Sequence, residues 1–350
     1  MKKKTVFVGM SGGVDSSVSA AILIEQGYDV VGVFIRTWHP DFLECNEEEE
    51  RRDAMRVAAQ LDIPFLTFDL EEVYKKEVAD YMISEYKAGR TPNPDVMCNK
   101  EVKFGAFLKK ALSMGADYVA TGHYAQNIKN LLVKGVDPSK DQSYFLWTLR
   151  QDQLCKILFP VGGMPKTKVR TLAKKFKLPV AEKKDSQGIC FLGDIDLKEF
   201  LKYYIKSKKG KVLNESGEVI GHHDGVVFHT LGERHGFTVT QKTPNDGAYY
   251  VISKDVKKNT LTVSQDKKSL DRNAKKIYQI ENTNWSALVP DQGKTYYAQI
   301  RYHGELLECQ VACEGQSFAE VIFEKPILVA GGQSIVVYDK DVCLGGGVVK

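Results

Sequence analysis

Apolar residues follow two different patterns along the chain, and the change lies near residue 205. In the first part, apolar runs that predict buried strands lie at residues 4–9, 29–38, 65–70 and 117–124. Amphipathic stretches that predict helices lie between them, at residues 16–26, 47–62 and 71–88. Strands that alternate with helices form parallel sheets, so we expect a doubly wound α/β domain over residues 1–205. Ligands of such sheets bind at the carboxyl ends of the strands.

The second part of the chain carries short alternating runs that are separated by turns. The strands that they predict lie at residues 225–230, 248–253, 260–264, 277–282, 295–303, 306–312, 317–323 and 334–338. A charged, glycine-containing segment at 206–211 is suited to a linker, and a second boundary is expected near 268–273. We therefore predict two small, mainly β domains at 206–270 and 271–350, the last of them a β-barrel.

The charge and hydropathy of the 350 residues set limits on partners and location. A net charge of +4 is small for a dedicated nucleic-acid domain, so it permits RNA binding without arguing for it. No run approaches the ~20 apolar residues of a membrane span. The apolar run after the N-terminal lysines is too short for a secretory signal. We expect a cytoplasmic protein that contacts no membrane.

Seven cysteines are scattered along the chain, at positions 45, 98, 155, 190, 309, 313 and 343. No two of them form a Cys-x-x-Cys pair, so zinc ribbons and thioredoxin-like motifs find no support. We predict no metal site formed by the protein alone. Scattered thiols of this kind are typical of a reducing cytosol.

A loop rich in glycine and serine lies between the first predicted strand and the first helix. Its candidate phosphate-binding residues are Gly9, Met10, Ser11, Gly12, Gly13, Val14, Asp15 and Ser16. Adjacent glycines let a backbone approach an anion closely, and free N–H groups at a helix start attract phosphate. The loop lacks the Gly-Lys-Ser/Thr ending of kinase-type P-loops and the GxGxxG of dinucleotide sites. A plain turn before a capped helix is the alternative.

The sequence Ser-Gly-Gly-Val-Asp-Ser at 11–16 resembles the PP-loop of the ATP pyrophosphatases, whose fold is adenine nucleotide alpha hydrolase-like. The resemblance implies that ATP, usually accompanied by Mg²⁺, is split between its α and β phosphates. AMP then passes to the substrate, and pyrophosphate stays at the loop. Asp15 is the expected catalytic residue of the loop.

Two segments that contain cysteine indicate the substrate class. Residues 92–104 are Pro-Asn-Pro-Asp-Val-Met-Cys-Asn-Lys-Glu-Val-Lys-Phe, and residues 185–194 are Asp-Ser-Gln-Gly-Ile-Cys-Phe-Leu-Gly-Asp. Both resemble the tRNA-specific 2-thiouridylases, the MnmA/TrmU family. Further matching segments lie at residues 121–124, 140–146, 331–333 and 345–347, so the resemblance spans nearly the whole chain.

The resemblance implies replacement of the C2 oxygen of the wobble uridine by sulfur. Adenylation converts that oxygen into a group that can leave as AMP. Cys190 corresponds to the cysteine that receives a persulfide from a donor such as a cysteine desulfurase or a relay protein. Cys98 corresponds to the nucleophile, which either attacks the activated carbon or reduces the Cys190 persulfide. Both routes end in a transient Cys98–Cys190 disulfide that a reductant must reopen.

The local sequence gives independent support for a reactive Cys98. A free thiol with a pKa near 8.5 is only a few per cent thiolate at neutral pH. Lys100 and Lys103 lie close in sequence and are expected to favour the thiolate. Pro92 and Pro94 stiffen the preceding loop. The remaining cysteines are expected to be structural.

Contacts with ATP and the anticodon arm of tRNA follow from the same resemblance. Adenine is expected near Ile35, where the family commonly has Met, and near Gly122. The residues expected to contact tRNA are Asn93, Pro94, Asp95, His123, Lys140, Asp141, Gln142, Arg301, Tyr302 and Gln333. A core role is the alternative for His123. The basic stretch 166–184 is either a phosphate-binding face or a solvated helix surface.

Four other functions are weaker interpretations of the same residues. PP-loop amidotransferases and argininosuccinate-type synthetases do not need Cys98 or Cys190. Iron–sulfur tRNA thiolases need clustered cysteines. Lysidine-type enzymes use an amino acid and need no persulfide cysteine, and a non-enzymatic RNA-binding protein needs no intact PP-loop. The family more often has Gln where this chain has Glu233, which affects only details of the central domain.

Overall fold

The computed structural model describes residues 3–350 except 44–45, 186–187, 189, 191–195, 241–246, 267, 272 and 316. Its strands are β1 Thr5–Gly9, β2 Asp29–Arg36, β3 Phe65–Asp69, β4 Tyr118–Ala120, β5 Ala125–Ile128, β6 Leu131–Lys134, β7 Ile157–Leu158, β8 Gly210–Leu213, β9 Val219–His223, β10 Phe237–Val239, β11 Tyr250–Asp255, β12 Thr260–Ser264, β13 Lys275–Trp285, β14 Tyr296–Gln299, β15 Leu307–Glu314, β16 Phe318–Ile327, β17 Ser334–Asp339 and β18 Val342–Val349.

The helices differ widely in length. They are α1 Val14–Glu25, α2 Glu47–Gln60, α3 (Glu71–Tyr74, Lys75–Asp80 and Tyr81–Lys87 in succession), α4 (Pro94–Met97, Cys98–Phe107 and Leu108–Ser113 in succession), α5 Gln151–Leu154, α6 Lys166–Lys175, α7 Leu197–Tyr204 and α8 Lys268–Asp271. The middle stretches of α3 and α4 are π-helical. Within the described residues, no helix is both long and apolar enough to cross a membrane.

The N-terminal sheet is parallel throughout, in the order β3-β2-β1-β4-β7. Its central strand is buried on both faces: Phe7 packs with Phe68 on one side, while Val6 and Val8 pack on the other. Burial of each such side chain stabilises the fold by about 1.5–3 kcal/mol. The predicted α/β domain is confirmed. Strand order reverses between β1 and β4, so the loops that follow these two strands face one ligand crevice.

The rest of the chain forms two β sheets. The central sheet has the order β10-β9-β8-β12-β11 and includes one parallel pair, β8 with β12. The C-terminal sheet closes into a six-stranded antiparallel barrel, because β13 pairs with both β16 and β18. The predicted barrel is therefore confirmed. The predicted domain boundaries after residues 205 and 270 stay predictions.

Some predicted elements differ from the structure. A strand at 225–230 is wrong, since Val226–Phe228 is a short 3₁₀ helix. The run 117–124 contains one short strand that ends at Ala120, because the chain turns away toward β5. The linker predicted at 206–211 ends early, since β8 starts at Gly210. The patterns also missed β9, β10 and the glycine-rich β18.

The barrel is joined to the α/β domain by strand pairing and by side-chain hydrogen bonds. The β5–β6 hairpin extends the barrel sheet through Val133 opposite Val342. Asn284 of β13 donates to the carbonyl oxygens of Trp147 and Leu149, at 2.8 and 3.0 Å. One amide group thus satisfies two backbone acceptors at the junction.

We predict that Asn284→Ala destabilises the protein by about 1–3 kcal/mol, because it leaves both carbonyl groups without this donor. Urea unfolding monitored by circular dichroism measures the change. Gln292→Ala, in an exposed turn of the same barrel, is the matched control and should change the free energy of unfolding by less than about 0.5 kcal/mol. Equal stability of Asn284→Ala and the parent would contradict this role of the junction.

Candidate active site

The glycine-rich loop at residues 9–16, called the phosphate loop below after its predicted ligand, joins the end of β1 to the start of α1, as predicted. Gly12 has a φ of +70°, and a Cβ there would lie 2.4 Å from the carbonyl oxygen of Glu50. Gly13 is the N-cap residue and has no side chain to cap the helix. The first-turn N–H groups of α1 are therefore not satisfied by an N-cap side chain, which is the arrangement that binds phosphate. Met10 is buried beneath the loop.

The segment that follows β4 packs closely against this loop. A Cβ at Gly122 would lie 2.6 Å from the backbone nitrogen of Ser16, so only glycine permits this approach. Ile35, near the end of β2, is buried in the core on one face of the sheet. Both residues thus lie at strand ends near the loop, and their contact with adenine stays a prediction.

Asp15 of the loop is held by two partners from other segments. The hydroxyl group of Tyr124 donates to Asp15 Oδ1 at 2.7 Å. Lys166 Nζ donates to both carboxylate oxygens of Asp15, at 2.7 and 2.8 Å. Burial and the Asp15 carboxylate raise the pKa of Tyr124, so its hydroxyl stays a donor. Lys166 is the first residue of α6 and brings a positive charge directly to the phosphate loop.

Asp185 connects this loop to the segment that carries Cys190. Lys140 and Lys166 both contact the Asp185 carboxylate at 2.8 Å, and Arg170 contacts it at 2.7 Å. Burial raises the pKa of Asp185, but the hydrogen bonds from the two lysines outweigh this effect and lower it to about 2. Asp185 is therefore ionised and clamped at neutral pH. Neither Lys166 nor Asp185 was singled out from the sequence.

Several basic residues of the stretch 166–184 form ion pairs with carboxylates of the protein. Besides Lys166 and Arg170, the paired residues are Lys174 with Glu182, Lys175 with Glu25 and Lys183 with Asp53. Several positive charges of this stretch are thus compensated within the protein. These ion pairs fit the alternative of a solvated helix surface, and a phosphate-binding face at 166–184 stays a prediction.

Cys98 and Cys190 lie side by side although they are 92 residues apart in sequence. Their sulfur atoms are 3.3 Å apart, and both cysteines are free thiols. Cys98 is completely buried, whereas Cys190 is partly exposed. The two cysteines that are expected to form a transient disulfide therefore lie in contact as thiols, with Cys190 the more exposed of the two, and the disulfide itself stays a prediction.

Three side chains hold the sulfur pair. Asn93 caps the start of α4 through a hydrogen bond from the Val96 backbone, at 3.2 Å. Asp95 Oδ1 accepts a hydrogen bond from the backbone N–H of Cys190 at 2.9 Å. Tyr74, which lies in α3, donates to the Cys190 carbonyl oxygen at 2.8 Å. The Cys190 backbone is therefore fixed on both of its polar groups.

The two thiols have opposite pKa shifts. Burial raises the pKa of Cys98, and the neighbouring Cys190 sulfur adds to the effect. A hydrogen bond from Cys98, together with the positive charge of Lys103, lowers the pKa of Cys190 against the effect of burial. Lys103 favours the Cys98 thiolate as expected, but burial outweighs it. Lys100 is exposed and paired with Glu101 at 2.9 Å.

His123 lies between the phosphate loop and the sulfur pair. Its ring is buried, its Nδ1 lies 2.7 Å from Thr121 Oγ1, and Lys103 Nζ lies 3.5 Å from its Nε2. Burial and the charge of Lys103 lower the pKa of His123, so the ring is neutral. This is the environment of a core histidine, and its RNA contact stays a prediction.

The other residues expected to contact tRNA have contacts within the protein. Asp141 Oδ1 accepts from the backbone of Gly135 at 2.8 Å. Gln142 Oε1 accepts from the Tyr124 backbone at 3.0 Å, and Gln333 donates to the Thr91 carbonyl oxygen at 2.8 Å. The Tyr302 ring lies 4.4 Å from that of Phe145, and Arg301 is exposed. Pro94 occupies the first position of α4.

The remaining described cysteines take no part in the sulfur pair. Cys309 is buried in the barrel core, Cys343 of β18 is buried in the core that the α/β domain shares with this strand, Cys313 is partly buried and Cys155 is exposed. Cys45 lies outside the described residues. Among the residues with described positions, no cluster of three or more His, Cys, Asp or Glu side chains could hold a metal ion.

We predict that Asp185→Asn lowers the free energy of unfolding by about 1.5–3 kcal/mol at pH 7, because it leaves Lys140, Lys166 and Arg170 without their shared anion. A carboxyl group with a depressed pKa stabilises the fold above its unfolded pKa of ~3.9. That contribution is lost as the pH falls toward about 2. Denaturant titrations of the variant and the parent at several pH values measure the difference, which should shrink below pH 4.

Asp152→Asn is the control for this prediction. Asp152 pairs with Arg150 at 2.9 Å on the surface, where an ion pair contributes at most about 1 kcal/mol. A difference between Asp185→Asn and the parent that is independent of pH would contradict the ionised state of Asp185.

Comparison with known proteins places this geometry in a family. Residues 4–194 match the tRNA methyl transferase HUP domain, 198–265 match the tRNA methyl transferase PRC-barrel domain, and 275–349 match the aminomethyltransferase beta-barrel domain. The tRNA-specific 2-thiouridylase MnmA of Listeria monocytogenes serotype 4b (strain CLIP80459) is 46% identical over 367 residues. That alignment covers 98% of this chain and 94% of the relative.

Proteins of the same name from two Bacillus species show the same relationship. The relative from Bacillus velezensis is 44% identical and that from Bacillus subtilis (strain 168) is 43% identical, each over 353 residues. Both alignments cover 98% of this chain and 94% of the relative. On this identity and coverage, the chain belongs to the tRNA-specific 2-thiouridylase family.

Proposed function

We propose that this protein is an ATP-dependent sulfurtransferase that converts the wobble uridine of tRNA to 2-thiouridine. One structural observation carries the proposal: residues Thr121–His123 connect the phosphate loop to the sulfur pair. Gly122 packs on the loop, and His123 contacts Lys103, which faces both cysteines. A nucleotide at the loop and a sulfur atom at Cys190 would thus be linked through one short segment of the chain.

Activation of the base takes place at the phosphate loop. The C2 oxygen of uridine attacks the α phosphorus of ATP, the α–β bond breaks, and pyrophosphate leaves. The free N–H groups at the start of α1 and the cation of Lys166 are suited to hold the pyrophosphate charge. Oxygen donors at the loop, including Asp15, are of the type that Mg²⁺ prefers when it accompanies ATP phosphates.

Sulfur arrives on Cys190, which is the partly exposed member of the pair. A donor persulfide transfers its outer sulfur to the Cys190 thiolate, and the donor thiolate leaves. Such a donor is a cysteine desulfurase or a relay protein, in a cytoplasmic setting. Its persulfide has to reach Cys190 from solvent, since Cys98 is buried.

The geometry supports the route in which Cys98 acts on sulfur and not on the base. Cys98 is completely buried, and its sulfur lies 3.3 Å from that of Cys190. The Cys98 thiol loses its proton as its sulfur attacks the inner sulfur of the Cys190 persulfide, HS⁻ leaves, and the disulfide forms. HS⁻ then adds to the activated C2, AMP leaves with the C–O bond electrons, and one proton is lost. A dithiol reductant supplies the two electrons that reopen the disulfide.

The matched domain names mention methyl transfer, which is a second candidate function. Methyl transfer requires neither a pyrophosphate loop nor two facing cysteines. The two cysteine sulfur atoms 3.3 Å apart, with the Cys190 backbone held by Asp95 and Tyr74, favour sulfur chemistry.

Recognition of tRNA adds contacts with its phosphates, so tRNA binding should weaken as the salt concentration rises.

We predict that Cys190→Ser abolishes 2-thiouridine formation, because no persulfide can form, while ATP binding stays within about twofold of the parent. Mass spectrometry of nucleosides from tRNA incubated with the protein, ATP and a persulfide donor measures the product. Cys155→Ser is the matched control, since Cys155 is exposed and lies outside the site. Normal thiolation by Cys190→Ser would remove the persulfide role, and a methylated product would favour the second function.

We predict that Asp15→Ala reduces tRNA-dependent pyrophosphate release at least about 100-fold. The change leaves Lys166 without its partner in the loop and removes an oxygen donor beside the phosphates. Release of labelled pyrophosphate from ATP measures the step. Asp29→Ala, at the exposed start of β2, serves as the control and should release pyrophosphate at the parent rate. An unchanged rate in Asp15→Ala would exclude this role.

A further inference from the structure

Lys103 occupies a position beside the sulfur pair that depends on an unusual helix. It lies five residues after Cys98, within the π-helical stretch Cys98–Phe107 of α4. In an α-helix, residues three or four apart share a face, and residues five apart do not. The i to i+5 pattern of a π-helix brings residues five apart together, and such segments are frequent at functional sites. The helix therefore directs Lys103 toward the cysteines.

The surroundings of Lys103 favour a charged amine. It is partly buried, it hydrogen-bonds Cys190, and it faces Cys98 and Asp95. The two sulfur atoms raise the pKa of Lys103 against the effect of burial, so the amine keeps its proton. His123, its neighbour at 3.5 Å, is neutral and adds no positive charge. Among the described groups that act on Cys190, Lys103 is thus the cation, and Asp95 opposes it.

We propose that Lys103 is a catalytic residue that holds reduced Cys190 as a thiolate, ready to accept sulfur, while Cys98 stays protonated beside it. The inference rests on the proposed sulfur transfer and says which of the two cysteines is ionised before that transfer begins. It differs from the expectation that the nearby lysines serve the Cys98 thiolate. The position of these groups supports it: the π-helical stretch brings Lys103 to the cysteines and His123, and Cys98, whose sulfur lies 3.3 Å from that of Cys190, is completely buried whereas Cys190 is partly exposed.

This distribution of charge orders the reaction. The Cys190 thiolate attacks the outer sulfur of a donor persulfide, a Cys190–S–SH group forms, and the donor leaves as a thiolate that takes up a proton from water. A protonated Cys98 does not compete for the donor. In the next step, Cys98–SH and Cys190–S–SH give the disulfide and H₂S, which balances all three sulfur atoms and both protons. Lys103 stabilises whichever sulfur carries the negative charge.

Alkylation of the reduced full-length protein tests the assignment without tRNA, ATP or a sulfur donor. Iodoacetamide is applied over pH 5–10, and peptide mass spectrometry follows modification of Cys190. We expect an apparent pKa below the ~8.5 of a free thiol in the parent. In Lys103→Met we expect that pKa to rise by at least about one unit, which lowers the alkylation rate at pH 7 about tenfold. Lys103→Arg keeps the cation and should stay near the parent.

Lys100→Met is the matched control, because Lys100 lies on the same helix but is exposed and paired with Glu101. It should leave the Cys190 profile unchanged. The same profile in Lys103→Met and the parent would overturn the proposal. If Lys103→Met fails to fold, the parent alone decides: a Cys190 pKa at or above ~8.5 would overturn it. Because no step of thiolation is measured, this result is separate from the test of the proposed function.

Discussion

The contact between Cys98 and Cys190 is the constraint on which the other features of the site depend. Two thiols 92 residues apart in sequence lie 3.3 Å from each other, which needs both segments to be held. Asp95 and Tyr74 hold the Cys190 backbone, and the Asn93 cap and Pro94 hold the start of α4. Polar backbone groups that are bonded in this way cannot move without losing hydrogen bonds. The closeness of the sulfur atoms is thus built into the fold.

The same segment is also linked to the glycine-rich loop. Asp185 precedes Cys190 by five residues and shares Lys166 with Asp15 of the loop. Phosphates at the start of α1 would compete for the Lys166 cation, and Asp185 would then keep Lys140 and Arg170. Three cations on one carboxylate therefore give the cysteine segment a support that does not depend on a single ion pair.

Patterns in short sequence segments predicted those features of the structure that depend on neighbouring residues. The strand–loop–helix order around Gly12 and the parallel sheet were visible, because spacing and glycine content are properties of short segments. Cys98 and Cys190 were singled out by the resemblance of their segments to a family, and their reactivity stays a prediction. Burial of His123, the pairing of the basic residues and the clamp on Asp185 depend on distant segments, so no window of sequence contains them. The strand β18 was missed because three successive glycines, Gly345–Gly347, conceal its apolar pattern, although barrel closure requires them.

The π-helical stretch shows how backbone geometry determines which side chain lies beside the two sulfur atoms. With α-helical geometry, five residues would place Lys103 away from Cys98, and the ammonium group would lose its sulfur partners. The expectation from sequence treated Lys100 and Lys103 alike, since both lie near Cys98 along the chain. The structure separates them: Lys100 pairs with Glu101 at the surface, whereas Lys103 turns inward to Cys190. Because Lys103 acts on Cys190 through both a hydrogen bond and its charge, and burial disfavours the thiolate of Cys98, the helix geometry favours ionisation of Cys190 first.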